Sequence, residues 1–365
     1  MAYAIKAPAR YVQGPGELDN LGLNTKKVGT KFFTIVSENG KKRFGERITA
    51  SLAATEEHIA VFSIFHGEAT KEEVASKTEE CQAAGCDAVI GAGGGKVLDT
   101  AKAVADNLGL PCIIVPTAAS NDAPCTSVAV LYNDAGVVIK ALVTKHDPEL
   151  ILVDTELIAA APERLFICGL GDALSTYFEA RACHKNGVKC MARGNVSNTG
   201  LMMTRLCYDL LIKSGVKALE AVRKHEVTQD LEDAVEASIY LSGVGFVNGG
   251  LAVCHAVNDG LAYEPQCHGM YHGEKVAFGV MTQLVLEDNP PEMEETLAFM
   301  KAAGLPMTLA QLGIKEINYE TLHKAAEIAA GPKESAKNLI PDITADQIYE
   351  AMLKADEIGR AYLAK

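Results

Sequence analysis

The amino-acid sequence predicts an α/β fold, with a parallel-sheet region over residues 1–161 and an all-α region over residues 162–365. Short, nearly continuous apolar runs alternate with amphipathic stretches in the first part, as expected for strands buried between two layers of helices. After Pro162 the segments have helical periodicity, and no further convincing strand follows. The chain has 365 residues, more than the roughly 250–300 at which a single core stops growing, which favours two domains.

Five apolar runs are predicted to form the parallel sheet. They are KFFTIV (31–36), HIAVFSIF (58–65), DAVIGA (87–92), PCIIVPT (111–117) and LILVD (150–154). Helices are predicted between them at about 41–54, 70–84 and 96–108. The segment 127–143, SVAVLYNDAGVVIKALV, alternates around a turn with Asn, Asp and Gly, which predicts a β-hairpin inserted before the last strand.

Charge and composition exclude several classes of function. The net charge is −13, and no basic run is longer than Lys41-Lys42-Arg43, so nucleic acid is an unfavourable partner. No segment has the apolar core of a signal peptide or the ~18 uninterrupted apolar residues of a membrane helix, which predicts a cytoplasmic protein without a membrane partner. The ten cysteines are scattered, as expected for free thiols in a reducing compartment.

The strongest local motif is a glycine-rich turn between a predicted strand and a predicted helix. Gly91, Gly93, Gly94 and Gly95 leave backbone N–H groups free at the positive end of the helix, which suits a phosphate group. The motif is not GxGxxG, because Lys96 stands where glycine would be needed. It is not a P-loop either. A polyphosphate cofactor is the ligand that such a turn predicts.

A second loop, VPTAASNDAPCTS (115–127), follows the next strand. Ligands of open α/β sheets bind beyond the carboxyl ends of the strands, so the polar side chains here are candidates for ligand contacts. They are Thr117, Ser120, Asp122 and Thr126. The alternative for Asp122 is a turn-forming residue without a ligand.

Three of the nine histidines, His255, His268 and His272, fall within 18 residues. Neutral imidazoles bind divalent transition metals, so this clustering indicates a metal site, although satisfied core histidines are the alternative. Cys254 and Cys267 flank the cluster and are either thiolate ligands or buried small hydrophobes.

The third ligand would be a carboxylate from elsewhere in the chain. Asp172, in GLGDALSTYFEA, is predicted at the start of a helix, where it would be either an N-cap or that ligand. His255 is predicted toward the end of a helix that begins near Leu231, and His272 just before another helix.

Six blocks in order make the chain resemble the iron-containing alcohol dehydrogenase superfamily, and most closely its glycerol dehydrogenases. They are YVQGPGEL, GAGGGKVLDTAK, VPTAASNDAPCTSVAVLY, GLGDALSTYFEA, SGVGFVNGGLAVCHAVNDGL and HGEKVAFGVMTQL. The resemblance implies a Rossmann-like N-terminal domain and an all-α C-terminal domain, the dehydroquinate synthase-like fold. It also implies a homo-oligomer, often an octamer in the family.

The resemblance also implies roles for individual residues. Asp172, His255 and His272 would be the metal ligands and catalytic residues, with Asp122 on the substrate hydroxyls and His268 a neighbour of the site. Zinc is expected as the metal, with iron as the alternative. The residues implied to line a nicotinamide dinucleotide are Gly94, Gly95, Lys96, Asp99, Thr117, Ser120, Thr126, Val128 and Tyr132.

One departure from the family pattern concerns the adenosine ribose. NAD-using members carry an Asp after the strand that here is KFFTIV, and this chain has Ser37 followed by Glu38. A carboxylate repels a 2′-phosphate, whereas Ser accommodates one, with Lys41 and Lys42 nearby. NAD is the expected cofactor, and NADP is the alternative.

The expected activity is reversible, metal-dependent hydride transfer between glycerol, or a similar vicinal diol, and NAD, giving dihydroxyacetone. The alternatives are an NADP-linked polyol dehydrogenase, a glycerol-1-phosphate dehydrogenase, a dehydroquinate synthase-like enzyme and, in a different class, a non-catalytic nicotinamide sensor. The phosphate-handling alternatives would bring several Lys or Arg to the cleft, and the sequence shows no such cluster near the metal residues.

Overall fold

A computed structural model describes residues 2–55, 58–133 and 138–365. Its eight strands are β1 (Tyr11–Gly14), β2 (Lys31–Val36), β3 (Ile59–Ile64), β4 (Ala88–Gly93), β5 (Cys112–Pro116), β6 (Val128–Tyr132), β7 (Val138–Val143) and β8 (Leu150–Asp154). Six of them form one parallel sheet in the order β1-β8-β5-β4-β2-β3. The predicted α/β fold class is confirmed.

The five predicted strands are all present, each with ends within one residue of the prediction. The hairpin is present as the antiparallel pair β6 and β7, and the predicted turn residues 134–137 lie outside the described residues. The edge strand β1 was not predicted, because it has only four residues and too short an apolar pattern. It pairs with β8, with Tyr11 opposite Ile151.

Helices lie between the strands of the sheet region and then make up most of the chain after Pro162. They are α1 (Leu21–Thr25), α2 (Glu38–Ala53), α3 (Lys71–Ala84), α4 (Gly95–Leu108), α5 (Thr155–Ala159), α6 (Glu163–Lys185), α7 (Asn198–Lys224), α8 (Gln229–Val235), α9 (Ser242–Gly249), α10 (Val253–Leu261), α11 (His272–Leu286), α12 (Pro290–Ala303), α13 (Tyr319–Ala329) and α14 (Ala345–Leu363). A π-helical segment, Glu236–Leu241, joins α8 to α9. The division into two domains near residue 161 stays a prediction.

Local signals explain where the helices of the sheet region begin and end. The hydroxyls of Ser37 and Thr70 cap α2 and α3 by accepting hydrogen bonds from the backbone N–H groups of Gly40 and Glu73. Strands β4, β5 and β8 are buried along their whole length, because helices cover both faces of the sheet. This arrangement places the carboxyl ends of β4 and β5, and the loops that follow them, beside the helical region.

Two local predictions for the helical region were wrong. Asp172 lies in the middle of α6, not at a helix start, because the glycines before it are inside the helix. His255 lies in the first turn of α10, not near the end of a helix from Leu231. That helical stretch breaks at Gly250, whose φ of 85° is left-handed, and a new helix begins at Val253.

The glycines around Asp172 allow α6 to touch two other backbone segments. A Cβ added at Gly169 would lie 2.0 Å from the carbonyl oxygen of Ala119, in the loop after β5. A Cβ added at Gly273, in α11, would lie 1.9 Å from the carbonyl oxygen of Cys168. Only glycine permits such contacts, so these residues bring the β5 loop, α6 and α11 to one point.

Among the described residues, no single helix is long and apolar enough to cross a membrane. One bent pair, Gln229–Gly249 with Val253–Leu261, meets the length and composition limits only when both parts are taken together, and it bends by 103°.

Replacing Gly169 by Ala should lower the free energy of unfolding by about 1–3 kcal/mol, because the new methyl group would overlap a carbonyl oxygen. The control is Gly45→Ala in α2, where the nearest atom to a Cβ is Lys41 Cγ at 3.2 Å, on a flexible side chain. That variant should be as stable as the parent or more stable by up to about 1 kcal/mol. Chemical denaturation measures both, and equal stability of the Gly169→Ala protein and the parent would contradict the close contact.

Candidate active site

Three helices bring Asp172, His255 and His272 together beside the β5 loop. One ligand atom from each of them lies within 4.8 Å of the others. The Oδ1 atom of Asp172 lies 3.2 Å from Nε2 of His272 and 3.5 Å from Nε2 of His255. Asp172 is buried, and the His272 side chain is 42% exposed. The cluster is therefore closed on the α6 side and open on the side of His272.

A buried carboxylate behind His255 orients its imidazole ring. Glu179 is on the same face of α6 as Asp172, two turns further on, and its Oε2 atom lies 2.6 Å from Nδ1 of His255. Its Oε1 atom accepts backbone hydrogen bonds from Ala252 and His255 at 2.8 and 2.9 Å, so the carboxylate also holds the first turn of α10. Because a carboxylate can only accept, Nδ1 carries a hydrogen, so Nε2 is the ring nitrogen whose lone pair is offered to a metal when the ring is neutral.

The donor atoms fit a divalent cation. In neutral His255 the Nε2 lone pair points at Oδ1 of Asp172, and this buried oxygen has no hydrogen-bond partner among the described residues. Two electron-rich atoms facing each other repel unless a proton or a metal ion lies between them. Two imidazoles and one carboxylate with an open side form the ligand set of a catalytic metal site rather than a structural one.

The charges of the cluster depend on one another. Burial alone would raise the pKa of Asp172, but the imidazoles of His272 and His255 outweigh burial and hold that pKa well below its usual value. Burial alone would lower the pKa of His255, but Glu179 and Asp172 outweigh it and raise that pKa well above its usual value. Asp172 is therefore ionised, and the cluster attracts positive charge.

Asp122 reaches the cluster from the β5 loop. Its backbone N–H donates to Oδ2 of Asp172 at 3.2 Å. The two aspartates, distant in sequence, are therefore in direct contact. Burial and the neighbouring charge of Asp172 raise the pKa of Asp122 to about 7, although the imidazoles oppose the shift. A carboxylate in this position can accept a hydrogen bond from a hydroxyl of a bound substrate.

Asp259, which the sequence pattern did not indicate, lies one turn after His255 on α10. The two residues lie on the least buried face of that helix. Desolvation by the surrounding protein raises the pKa of Asp259, and its charge interacts with His255, His272 and, across the cleft, Tyr132. The helical spacing of four residues after a histidine was the signal that could have found it.

The glycine turn is open above Gly94. A Cβ there would meet no atom within 4 Å, and Gly94 begins α4 without any side-chain cap. No side chain accepts from the first N–H groups of α4, so those of Gly95 and Lys96 are available to an anionic ligand. Beside the turn, Lys96 pairs with Glu68 at 2.6 Å and lies 5.1 Å from the ring centroid of Tyr132.

The nine residues expected to line the cofactor fall into two groups. Gly94, Gly95, Lys96, Thr117, Ser120 and Tyr132 lie at the turn or at the edge of the cleft and have some exposed surface. Asp99, Thr126 and Val128 are buried, and all three contact Lys102 inside the sheet region.

His268, Cys254 and Cys267 do not join the cluster. His268 is exposed beyond a short 3₁₀ turn, and Cys254 faces Gln283 at 3.3 Å. Burial raises the pKa of the Cys267 thiol to about 12 and that of Cys254 well above its usual value, so neither is a thiolate at neutral pH.

The sequence model of the iron-containing alcohol dehydrogenase family matches residues 8–155 of this chain. The chain is 42% identical over 360 residues to a glycerol dehydrogenase of Escherichia coli O6:H1, covering 98% of each chain. It is also 42% identical over 364 residues to that of Pseudomonas putida, covering 100% of each. The chain belongs to the iron-containing alcohol dehydrogenase family. A solved glycerol dehydrogenase of Schizosaccharomyces pombe superposes with a TM-score of 0.95 at 34% identity, covering 100% of this chain and 92% of that one.

As a member of this family the protein is an enzyme, an oxidoreductase. This excludes the alternative of a non-catalytic nicotinamide sensor. Three charged residues in or beside the site were not indicated by the sequence: Glu179, Asp259 and Lys102. Glu179 had a readable signal, since it follows Asp172 by seven residues and so shares its helix face.

Replacing Glu179 by Gln should weaken metal binding about 10–100-fold, because the amide no longer fixes the Nδ1 hydrogen of His255. Metal affinity is measured by competition with a chromogenic chelator. The matched control is Asp356→Asn, since Asp356 is also a buried carboxylate that accepts a backbone N–H, from Leu309 at 2.8 Å, in another part of the helical region. Equal metal affinities of the two variants would show that Glu179 does not orient His255.

Proposed function

We propose that this enzyme transfers a hydride reversibly between glycerol, or a similar vicinal diol, and NAD, with a divalent metal held by Asp172, His255 and His272. The observation that carries the proposal is the three-donor cluster with the Asp122 backbone bonded to its carboxylate. Oxidation of the secondary alcohol gives dihydroxyacetone, NADH and a proton. Similarity to glycerol dehydrogenases over the whole chain supports the choice of substrate.

Each residue has a defined part in this reaction. When bound, the metal supplies a Lewis acid for the substrate hydroxyl and the nicotinamide supplies the hydride acceptor. Asp172 and the two histidines would hold the metal, and Glu179 fixes the ring of His255. Asp122 accepts a hydrogen bond from the neighbouring hydroxyl, and this carboxylate is left unpaired when that hydroxyl is missing.

The charges of the cleft support a neutral substrate over a phosphorylated one. Asp122, Asp172 and Asp259 all surround the histidines. Near the glycine turn, Lys96 is paired with Glu68, and Lys102 is buried against Asp99. A phosphate on the substrate would therefore meet more negative than free positive charge, which disfavours the glycerol-1-phosphate and dehydroquinate synthase-like alternatives.

Zinc is the proposed metal, since two imidazoles and one carboxylate suit zinc, and they suit iron as the alternative. We also propose a cytoplasmic location and a homo-oligomer. All ten cysteines are unpaired thiols, as a reducing compartment favours. The oligomer rests on the family resemblance.

The wild-type protein should oxidise glycerol with NAD, followed at 340 nm, and should lose this activity on chelation and regain it with zinc or iron. His255→Ala should lose bound metal and lower kcat/KM about 10³-fold or more, because several kcal/mol of transition-state stabilisation go with the metal. Metal analysis and a polyol panel measure both. His268→Ala is the control, with metal and activity retained. Full activity of His255→Ala without metal would refute the site.

The carboxyl end of β2 supports NAD as the cofactor. Ser37 uses its hydroxyl to cap α2, by accepting from Gly40 N–H at 3.0 Å. The next carboxylate, Glu38, is 76% exposed, and Lys42 lies 3.9 Å from it. Lys41 lies over the ring of Phe62 at 5.2 Å. The exposed carboxylate that remains would repel a 2′-phosphate.

The ratio of kcat/KM with NAD to that with NADP should exceed about ten in the wild type, because like charges brought together cost several kcal/mol. Replacing Glu38 by Gln should lower the ratio. The control is Glu46→Gln, about two turns further along α2, which should leave the ratio unchanged. A wild-type preference for NADP would overturn the assignment.

A further inference from the structure

The most completely buried charge between the glycine turn and the β5 loop belongs to Lys102. Its side chain is 2% exposed, and it projects from α4, two turns after the helix begins at Gly95. Lys102 Nζ lies 2.8 Å from Oδ1 of Asp99, whose side chain is 6% exposed. A buried ammonium group is costly unless all its hydrogens are bonded, so its acceptors show what the residue holds.

The ammonium group has one ion-pair partner and two close hydrogen-bond acceptors. The ion-pair partner is Asp99, and the acceptors are the carbonyl oxygens of Ala123, at 2.9 Å, and of Val128. The oxygens of Thr126 lie further away, at 3.5 Å. Lys102 thus ties both ends of the segment 123–128 to α4.

Ala123 directly follows Asp122, the residue that we propose to contact the substrate. On its other side Asp122 is bonded to Asp172 through its backbone N–H, at 3.2 Å. Asp122 is therefore held on both sides. Lys102 of α4 bonds to the next residue, Ala123, and Asp172 accepts from the backbone N–H of Asp122 itself. A movement of either Lys102 or Asp172 would shift the Asp122 carboxylate relative to the substrate.

We propose that Lys102 is a positioning residue, which holds the Asp122 loop at a fixed distance from the metal ligands and from the glycine turn. The inference rests on the proposed function, because it gives Asp122 a substrate to recognise. Lys102 itself touches neither substrate nor cofactor. Its effect is on selectivity for a neighbouring hydroxyl.

The chain offers a matched control for the burial of a lysine. Lys77, on α3, is also 2% exposed and also pairs with an acid three residues away, Glu80, at 2.8 Å. Within the part of the chain that the structure describes, its ion pairs are with Glu73 and Glu80 of the same helix, and neither involves the β5 loop. Lys77→Met therefore reports the cost of removing a buried lysine, and any additional effect of Lys102→Met reports positioning.

The first measurement is the ratio of kcat/KM for glycerol to that for propan-2-ol, which has no neighbouring hydroxyl. Lys102→Met should lower this ratio on the order of 10–100-fold, mainly through the KM for glycerol, because small misplacements cost that much. Metal content should be unchanged. Lys77→Met should keep the wild-type ratio. An unchanged ratio in Lys102→Met, with a loss of stability like that of Lys77→Met, would overturn the proposal.

Two further variants separate positioning from an unpaired charge. In Asp99→Asn/Lys102→Met both charges are gone, and the ratio should remain low, because the carbonyl groups of Ala123 and Val128 still lack their donor. A return to the wild-type ratio would show that only the stranded carboxylate mattered. In an Asp122→Ala background, Lys102→Met should lower the ratio by less than about threefold more, since both changes act through Asp122.

Hydrogen exchange tests the proposal without any substrate. Amides of residues 119–128 should exchange at least about tenfold faster in Lys102→Met than in Lys77→Met or the wild type. If the wild type turns over no polyol, the proposed function fails, and this measurement still decides the positioning role. Unchanged exchange in the loop would overturn it.

Discussion

The contact between the backbone of α6 and two neighbouring segments determines how the rest of the molecule is arranged. Gly169 lies against the carbonyl group of Ala119, and Gly273 lies against that of Cys168. Through these contacts the loop that follows β5, the middle of α6 and the first turn of α11 meet with no side chain between them. Asp122, Asp172 and His272 are each within three residues of one of these contacts, so their relative positions are set by backbone packing rather than by flexible side chains.

The carboxylate of Glu179, behind His255, then determines how that histidine can bind a metal. Glu179 accepts from Nδ1 of His255 and from two backbone N–H groups of α10, so the ring and the start of its helix are held by one carboxylate. In the neutral ring, the Nε2 lone pair is then directed at the ionised Asp172. That arrangement is stable when a cation shares both atoms, which explains why a buried acid and two imidazoles are packed so closely.

The sequence was sufficient for five of the six strands of the sheet, and the family resemblance for which residues cluster, but neither gave the setting of those residues. Continuous apolar runs marked β2, β3, β4, β5 and β8, because burial on both faces leaves a clear pattern. The glycines before Asp172 were read as a helix boundary, since glycine usually ends helices. Their use in close helix contacts depends on a partner backbone that is distant in sequence. Lys102 was missed for the same reason, because its carbonyl partners lie in the irregular loop after β5 and at the first residue of β6, both distant from it in sequence.

Glu179 and Lys102 are both buried charges that bond to the backbone near the cluster, Glu179 on the side of α10 and Lys102 on the side of the β5 loop. Each is a charge removed from water, which lowers stability unless every hydrogen-bonding position is filled, and an apolar side chain would often have been no less stable. Both charges are instead bonded to the backbone beside a residue of the site, next to His255 in one case and Asp122 in the other. Buried networks with several bonds to the backbone have few favourable geometries, so a displacement of about 1 Å breaks several bonds together. Stability alone does not account for that arrangement, whereas the need to hold the site residues from both sides does.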